Sequence, residues 1–190
     1  VSTNSVAPDM RPKGKKMLSF DPKIVDVPKG HHVGGRYLDL PGDEIEVLRP
    51  SDQQLMGTVN DGGEAAVDLA IKAAKEALKA SRWAKIAPRE RAKVLFRFAQ
   101  LIEENNSCLG RLEATGSSRL ISGTVTGDAI RTAGVVRYFA EYCDKLEGIV
   151  TATESGTLSY VKREPYGIVG AIVPWNFPMI TAAWKFAPAL

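Results

Sequence analysis

Cysteine and histidine are scarce in this 190-residue chain, with two of each. Cys108 and Cys143 cannot build the disulfide framework of a small secreted domain. Each falls in a helix-like pattern and reads as a buried or half-buried free thiol. Such sparing use fits a reducing compartment, and a cytoplasmic location is expected. His31 and His32 are adjacent; neighbours on a strand point to opposite faces, so they do not read as a metal pair, and no metal site is expected. Charge of one sign is also lacking. Twenty-five basic residues against 22 acidic leave a formal excess of +3, too little to imply a nucleic-acid partner, and no aromatic–basic stripe accompanies it. No apolar run approaches the roughly 20 residues of a membrane span, so no membrane partner is expected.

What remains is 44% hydrophobic and 25% charged, the balance of a soluble globular protein. Residues 1–30 carry Arg11, Lys13, Lys15 and Lys16 with little apolar patterning and no apolar core of a secretory signal. They are expected to form an exposed amino-terminal arm. At the other end, Ala182 to Leu190 reads as helix interior without a glycine cap or polar stop. The chain is therefore expected to be part of a longer protein.

Short strands are expected over 32–37, 45–49 and 55–59, with turns at Pro41-Gly42-Asp43 and Pro50-Ser51-Asp52. Asp61 can cap a helix over 63–80, where Val67, Ala70, Ile71, Ala74 and Leu78 form one stripe. Pro88 opens a second helix with Val94, Leu95, Phe98, Leu101 and Ile102 at helical spacing. Asn105-Asn106-Ser107 breaks it; a short helix follows to Glu113, and a longer one over 124–145 is closed by Gly148. Residues 149–154 and 157–164 are β-branched and alternating around Ser155-Gly156, which predicts a β-hairpin. Alternation puts Leu158, Tyr160 and Lys162 on one face and Thr157, Ser159 and Val161 on the other. Two strands alone are marginal in water, so this hairpin must pair with something.

The most informative run is Pro165-Tyr166-Gly167-Ile168-Val169-Gly170-Ala171-Ile172-Val173-Pro174-Trp175-Asn176-Phe177-Pro178. It reads as a buried strand over 167–173 handing over to a helix from Pro178, with one polar side chain at the handover. In parallel α/β sheets ligands sit outside such carboxyl ends of strands. The Asn176 amide is neither acid nor base near neutral pH, which leaves oxyanion donor or helix cap as its roles.

Together with Ala183-Trp184-Lys185 and Ala187-Pro188-Ala189-Leu190, this run resembles the aldehyde dehydrogenase superfamily, and weaker similarity extends back to about His32. The resemblance implies an α/β fold: a partial Rossmann-like cofactor-binding domain over 31–147 and 166–190, with a protruding β-hairpin oligomerisation arm at 148–165. It implies NAD or NADP as cofactor, an aldehyde substrate, and a homo-dimer or tetramer formed through the arm. The family's nucleophilic cysteine and base glutamate lie further along than this chain reaches. By the same resemblance Asn176 holds the oxyanion, and Ile172, Val173, Pro174 and Trp175 lie against the nicotinamide ribose. Phe177, Ile180, Thr181 and Trp184 line the aldehyde tunnel, and Lys185 stands near a proton path. Each role has a plain counterpart: a cap, a buried strand, helix core, a surface lysine.

One stretch departs from the family pattern. Glu113-Ala114-Thr115-Gly116-Ser117-Ser118-Arg119-Leu120 stands where many members carry an acidic-Asn-Gly-Lys-Pro sequence, which puts their monovalent-cation site in doubt here. Trp175 in place of phenylalanine points away from the CoA-acylating branch. The expected protein is a non-acylating, NAD(P)-dependent aldehyde dehydrogenase acting through a thiohemiacetal; a catalytically silent, oligomerising homologue or fragment is the alternative.

Overall fold

A computed structural model of the chain describes residues 20–27, 30–80 and 82–190. Most of the arm expected over 1–30 lies outside these residues. The chain folds as α/β; among the described residues there are three separate two-stranded sheets, all antiparallel, and a set of packed helices.

Strand β1 (His31–Val33) pairs with β2 (Arg36–Leu38), matching His31 with Leu38 and Val33 with Arg36. The single strand expected over 32–37 is thus a hairpin. Gly34 and Gly35 have φ of 59° and 83°, and two consecutive positive φ values make a tight turn rather than a strand interior. His31 and His32 part as expected: the His31 ring contacts the Asn60 carbonyl at 2.9 Å, while His32 stands edge-on to Tyr37. Strand β3 (Asp43–Leu48) pairs with β4 (Leu55–Asp61), with a register shift at Val47 and Leu48.

Asp61 then starts helix α1 (Gly63–Ala80) by accepting from the Gly63 N–H at 2.9 Å. No residue of α1 is buried, and Val67, Ile71 and Leu78 of the expected stripe stay exposed. The stripe is there, but among the described residues little covers it.

The core lies further on. Helix α2 (Pro88–Glu104) opens on Pro88, whose missing N–H costs nothing at the first helical position. Helix α3 (Asn106–Ser117) runs four residues past the expected Glu113. A single turn, α4 (Ile121–Gly123), leads into a π-helical stretch (Thr124–Asp128) and then α5 (Ala129–Tyr142). Part of the helix expected from 124 is therefore wound more widely. Gly110 explains the close passage here: a Cβ at Gly110 would sit 2.7 Å from Val125 Cα, so only glycine lets α3 cross the π stretch. Helix α6 (Pro178–Ala189) completes the layer. Leu95, Ala99 and Ile102 of α2, Ala133, Val136 and Ala140 of α5, and Ala183 and Ala187 of α6 form one cluster. The small residues let the three helices approach closely; a fully buried leucine such as Leu95 contributes about 1.5–3 kcal/mol. A bidentate Arg137–Glu103 pair, 2.5 Å at both contacts, ties α5 to α2 and holds the Glu103 carboxyl below its usual range.

Strand β5 (Ile149–Thr151) pairs with β6 (Ser159–Val161), Val150 facing Tyr160. The hairpin is present with shorter strands than expected. Ser155 and Gly156 form its turn, Gly156 at φ 88° and the Thr157 N–H donating to the Glu154 carbonyl. Residues 167–173 correct the sequence reading. They form no strand and make no backbone hydrogen bond to another described residue, and Ile172 is 96% exposed. A strand needs a neighbour on its ladder, and no described strand lies beside this one.

Candidate functional site

The motif run ends on α6, and the handover is built from two prolines and a threonine. Pro174 and Pro178 fix their own φ and bracket Trp175, Asn176 and Phe177. The Thr181 hydroxyl donates back to the Phe177 carbonyl at 2.7 Å, and its backbone N–H reaches the same oxygen at 3.1 Å. Phe177 is the residue that precedes the first helical turn, with φ −141°, and no side chain caps α6. Asn176 is therefore not the cap. Its carboxamide is exposed and makes no hydrogen bond to another described residue, which leaves two N–H donors free.

Ile172, Val173, Pro174 and Trp175 form an uncovered apolar strip leading to Asn176, with Trp175 73% exposed. Phe177, Ile180, Thr181 and Trp184 follow at helical spacing. Ile180 packs against the helical core, and Trp184 stands edge-on to Phe139 at 5.9 Å while half of it stays exposed. Lys185 faces elsewhere. It lines an open groove of about 450 Å³ with Leu78, Trp83, Ile168 and Phe186, on the side where residues 167–171 pass α1. The structure thus gathers the strip, Asn176, Phe177 and Thr181, and sets Lys185 apart from them.

Neither cysteine is poised as a nucleophile. Burial pushes the Cys143 thiol up, and its Sγ lies 3.7 Å from the Phe139 carbonyl. Cys108 is exposed, against the expectation of burial.

A polar cluster beneath the handover is not evident from the sequence. The Glu113 side chain is 1% exposed on the inner face of α3. The Arg119 guanidinium donates to both oxygens of the buried Asp128 and reaches Glu113 Oε1 at 3.4 Å. Its carbon lies 3.9 Å from the centre of the Phe177 ring, well inside the cation–π range of about 6 Å. Burial, then the neighbouring Asp128 charge, raises the Glu113 carboxyl above its usual range; the Met179 N–H and Arg119 oppose this. One signal was available: Glu113 sits in register with Leu109 and Gly110, a carboxylate on a face that otherwise turns inward.

A profile of the aldehyde dehydrogenase family matches residues 38–190. An aldehyde dehydrogenase of Davidiella tassiana is 38% identical over 149 residues, which are 78% of this chain and 30% of that protein. Aldehyde dehydrogenase 1 of Tanacetum cinerariifolium is 35% identical over 92% of this chain and 34% of its own length. Among solved structures, PnpE in complex with nicotinamide adenine dinucleotide superposes with a TM-score of 0.79 at 38% identity, over 85% of this chain and 33% of that one. The aldehyde dehydrogenase KauB of Pseudomonas aeruginosa gives 0.82 at 34% identity, over 88% and 34%. This chain therefore spans about a third of the length of the proteins it matches. It belongs to the aldehyde dehydrogenase family.

Proposed function

We propose that the whole protein oxidises an aldehyde to a carboxylic acid with NAD or NADP, and that this chain supplies the oxyanion donor. One observation carries the reading: Asn176 presents a free carboxamide at the start of α6, capping nothing, at the end of the strip 172–175. A carbonyl oxygen gains negative charge when a nucleophile adds, and a fixed N–H donor favours that charge over the neutral ground state. The prolines on both sides hold the donor without a hydrogen bond of its own, so no bond must break before it acts. Ile172, Val173, Pro174 and Trp175 fit the nicotinamide side of a dinucleotide. Their apolar faces are uncovered and the backbone of this segment is unpaired. When bound, the dinucleotide supplies the hydride acceptor. Phe177, Thr181 and Trp184 offer the aldehyde an apolar wall with one hydroxyl, and Ile180 backs it from the core. Lys185 lies on another face, and a part in proton exit would need the rest of the protein.

On this reading residues 31–147 and 166–190 are the first part of a Rossmann-like domain, and the protein works in a reducing cytoplasm. The hairpin at 148–165 pairs with another subunit: Val150, Leu158 and Tyr160 are exposed and both strand edges are open. Light scattering of a variant lacking residues 149–162 should show a homo-dimer or tetramer shifting toward monomer; an unchanged mass would reject this arm.

The test of the main reading is Asn176→Ala in the whole protein, assayed with NAD or NADP and a panel of aldehydes. Losing an oxyanion donor typically costs about 2.7–4 kcal/mol, roughly 10²–10³ in kcat. Cofactor affinity should hardly change. A folded variant that keeps more than about a fifth of the parent kcat would reject Asn176 as the donor.

A further inference from the structure

We propose that Arg119 is a positioning residue for Asn176: gripped by Glu113 and Asp128, its guanidinium seats the Phe177 ring and so sets where the carboxamide stands. The inference rests on the reading of Asn176 as oxyanion donor.

Asn176 makes no hydrogen bond to a described residue, so its position is inherited from its neighbours. On the carboxyl side that neighbour is Phe177, whose ring faces the Arg119 guanidinium at 3.9 Å. The guanidinium is itself fixed. Asp128 takes it in a two-point grip, and Nη1, one of the two nitrogens so held, also reaches Glu113 Oε1 at 3.4 Å. The two carboxylates come from different elements, α3 and the π-helical stretch, and both are buried. Ser118, at φ 54°, closes α3 in the left-handed region and turns the chain so that the next residue, Arg119, folds back between them. Phe177 directly precedes Pro178, the first residue of α6, so the guanidinium is seated against the start of that helix. One other cation faces the cluster: Arg131 lies 3.7 Å from Asp128, with two-thirds of its side chain in solvent.

A planar, forked cation is required for this arrangement. It stacks on a ring while donating in two directions, and a lysine ammonium keeps the charge but neither the plane nor the fork. Arg119→Lys therefore separates positioning from charge balance. Arg119→Ala would leave buried Glu113 without a cation and Asp128 with only the largely exposed Arg131, and its failure to fold would be uninformative.

The experiment measures kcat, aldehyde KM and cofactor affinity of the whole protein for Arg119→Lys, Phe177→Leu and the double variant, with thermal melting of each. Arg119→Lys is expected to lower kcat at least about fivefold, with cofactor affinity within about twofold and the protein fully folded at the assay temperature. Both single variants break one contact, so the double variant should be no worse than the worse single by more than about twofold. A purely structural role would lower the melting temperature and leave the kcat of the folded enzyme in place. A parent with turnover whose Arg119→Lys variant loses less than fivefold overturns the inference alone, as do losses that multiply in the double variant. A parent without turnover on any aldehyde overturns the reading of Asn176 and this inference with it.

Discussion

Two sets of apolar residues meet different surroundings in this chain. The helices α2, α5 and α6 bring Leu95, Ala99, Val136 and Ala183 to near-complete burial. Residues 167–173, richer in β-branched side chains than those helices, stay uncovered, and Ile172 is almost fully in solvent. The helices need only one another: their backbone bonds are internal, and small residues at the crossings allow close approach. The strand-like segment needs a ladder partner as well as cover on both faces, and the described residues provide no ladder partner and only partial cover beside α1. Hydrophobicity fixes which residues seek burial, while the backbone decides whether the partner must come from elsewhere. The strip proposed to meet the cofactor lies at the end of the second region, next to the first. Asn176 stands at the seam, and its neighbour Phe177 rests on the Arg119 guanidinium of a polar cluster rooted in the helical layer.

The largest effect should come from the self-sufficient side. Leu95 is 2% exposed inside the helical cluster. Leu95→Ala removes its burial and leaves a cavity, which costs about 2–5 kcal/mol. Denaturant unfolding of the 190-residue chain, followed by circular dichroism, measures it. A loss below about 1 kcal/mol would mean that these helices do not close a core on their own, and the contrast between the two regions would disappear.

Much of the local structure was legible. The start of α1 follows from Asp61, the start of α2 from Pro88, and the hairpin turn from Ser155-Gly156, all local chemistry that needs no distant partner. What local patterns could not give is tertiary. The hairpin at Gly34-Gly35 was hidden because alternation continues across a two-residue turn. The π-helical stretch was hidden because its apolar period differs little from that of an α-helix over five residues. For the site, the position of Asn176 at the head of α6 was readable from the two prolines. Its release from capping was not, since that depends on Phe177 taking the preceding position. The Glu113–Arg119–Asp128 cluster joins residues up to 15 apart across a left-handed turn and a π stretch, and no spacing rule anticipates it.

The smallest effect should come from Ile172, and it sharpens the comparison most. At 96% exposure the side chain removes almost no apolar surface from water in this chain. Ile172→Ala should therefore change the unfolding free energy of the 190-residue chain by no more than about 0.5 kcal/mol. The matched relatives are about three times as long; on the proposed Rossmann-like reading, a parallel sheet in the whole protein would cover both faces of this segment. In the whole protein the same substitution should then cost about 2–5 kcal/mol, as for any buried isoleucine. The difference between the two measurements is the contribution of partners outside this chain, read at one residue. A cost above about 1 kcal/mol in the 190-residue chain would show that residues 167–173 already pack in solution. Equal, small costs in both proteins would leave Ile172 exposed throughout, and the strip at 172–175 would then be a surface rather than the floor of a cofactor site.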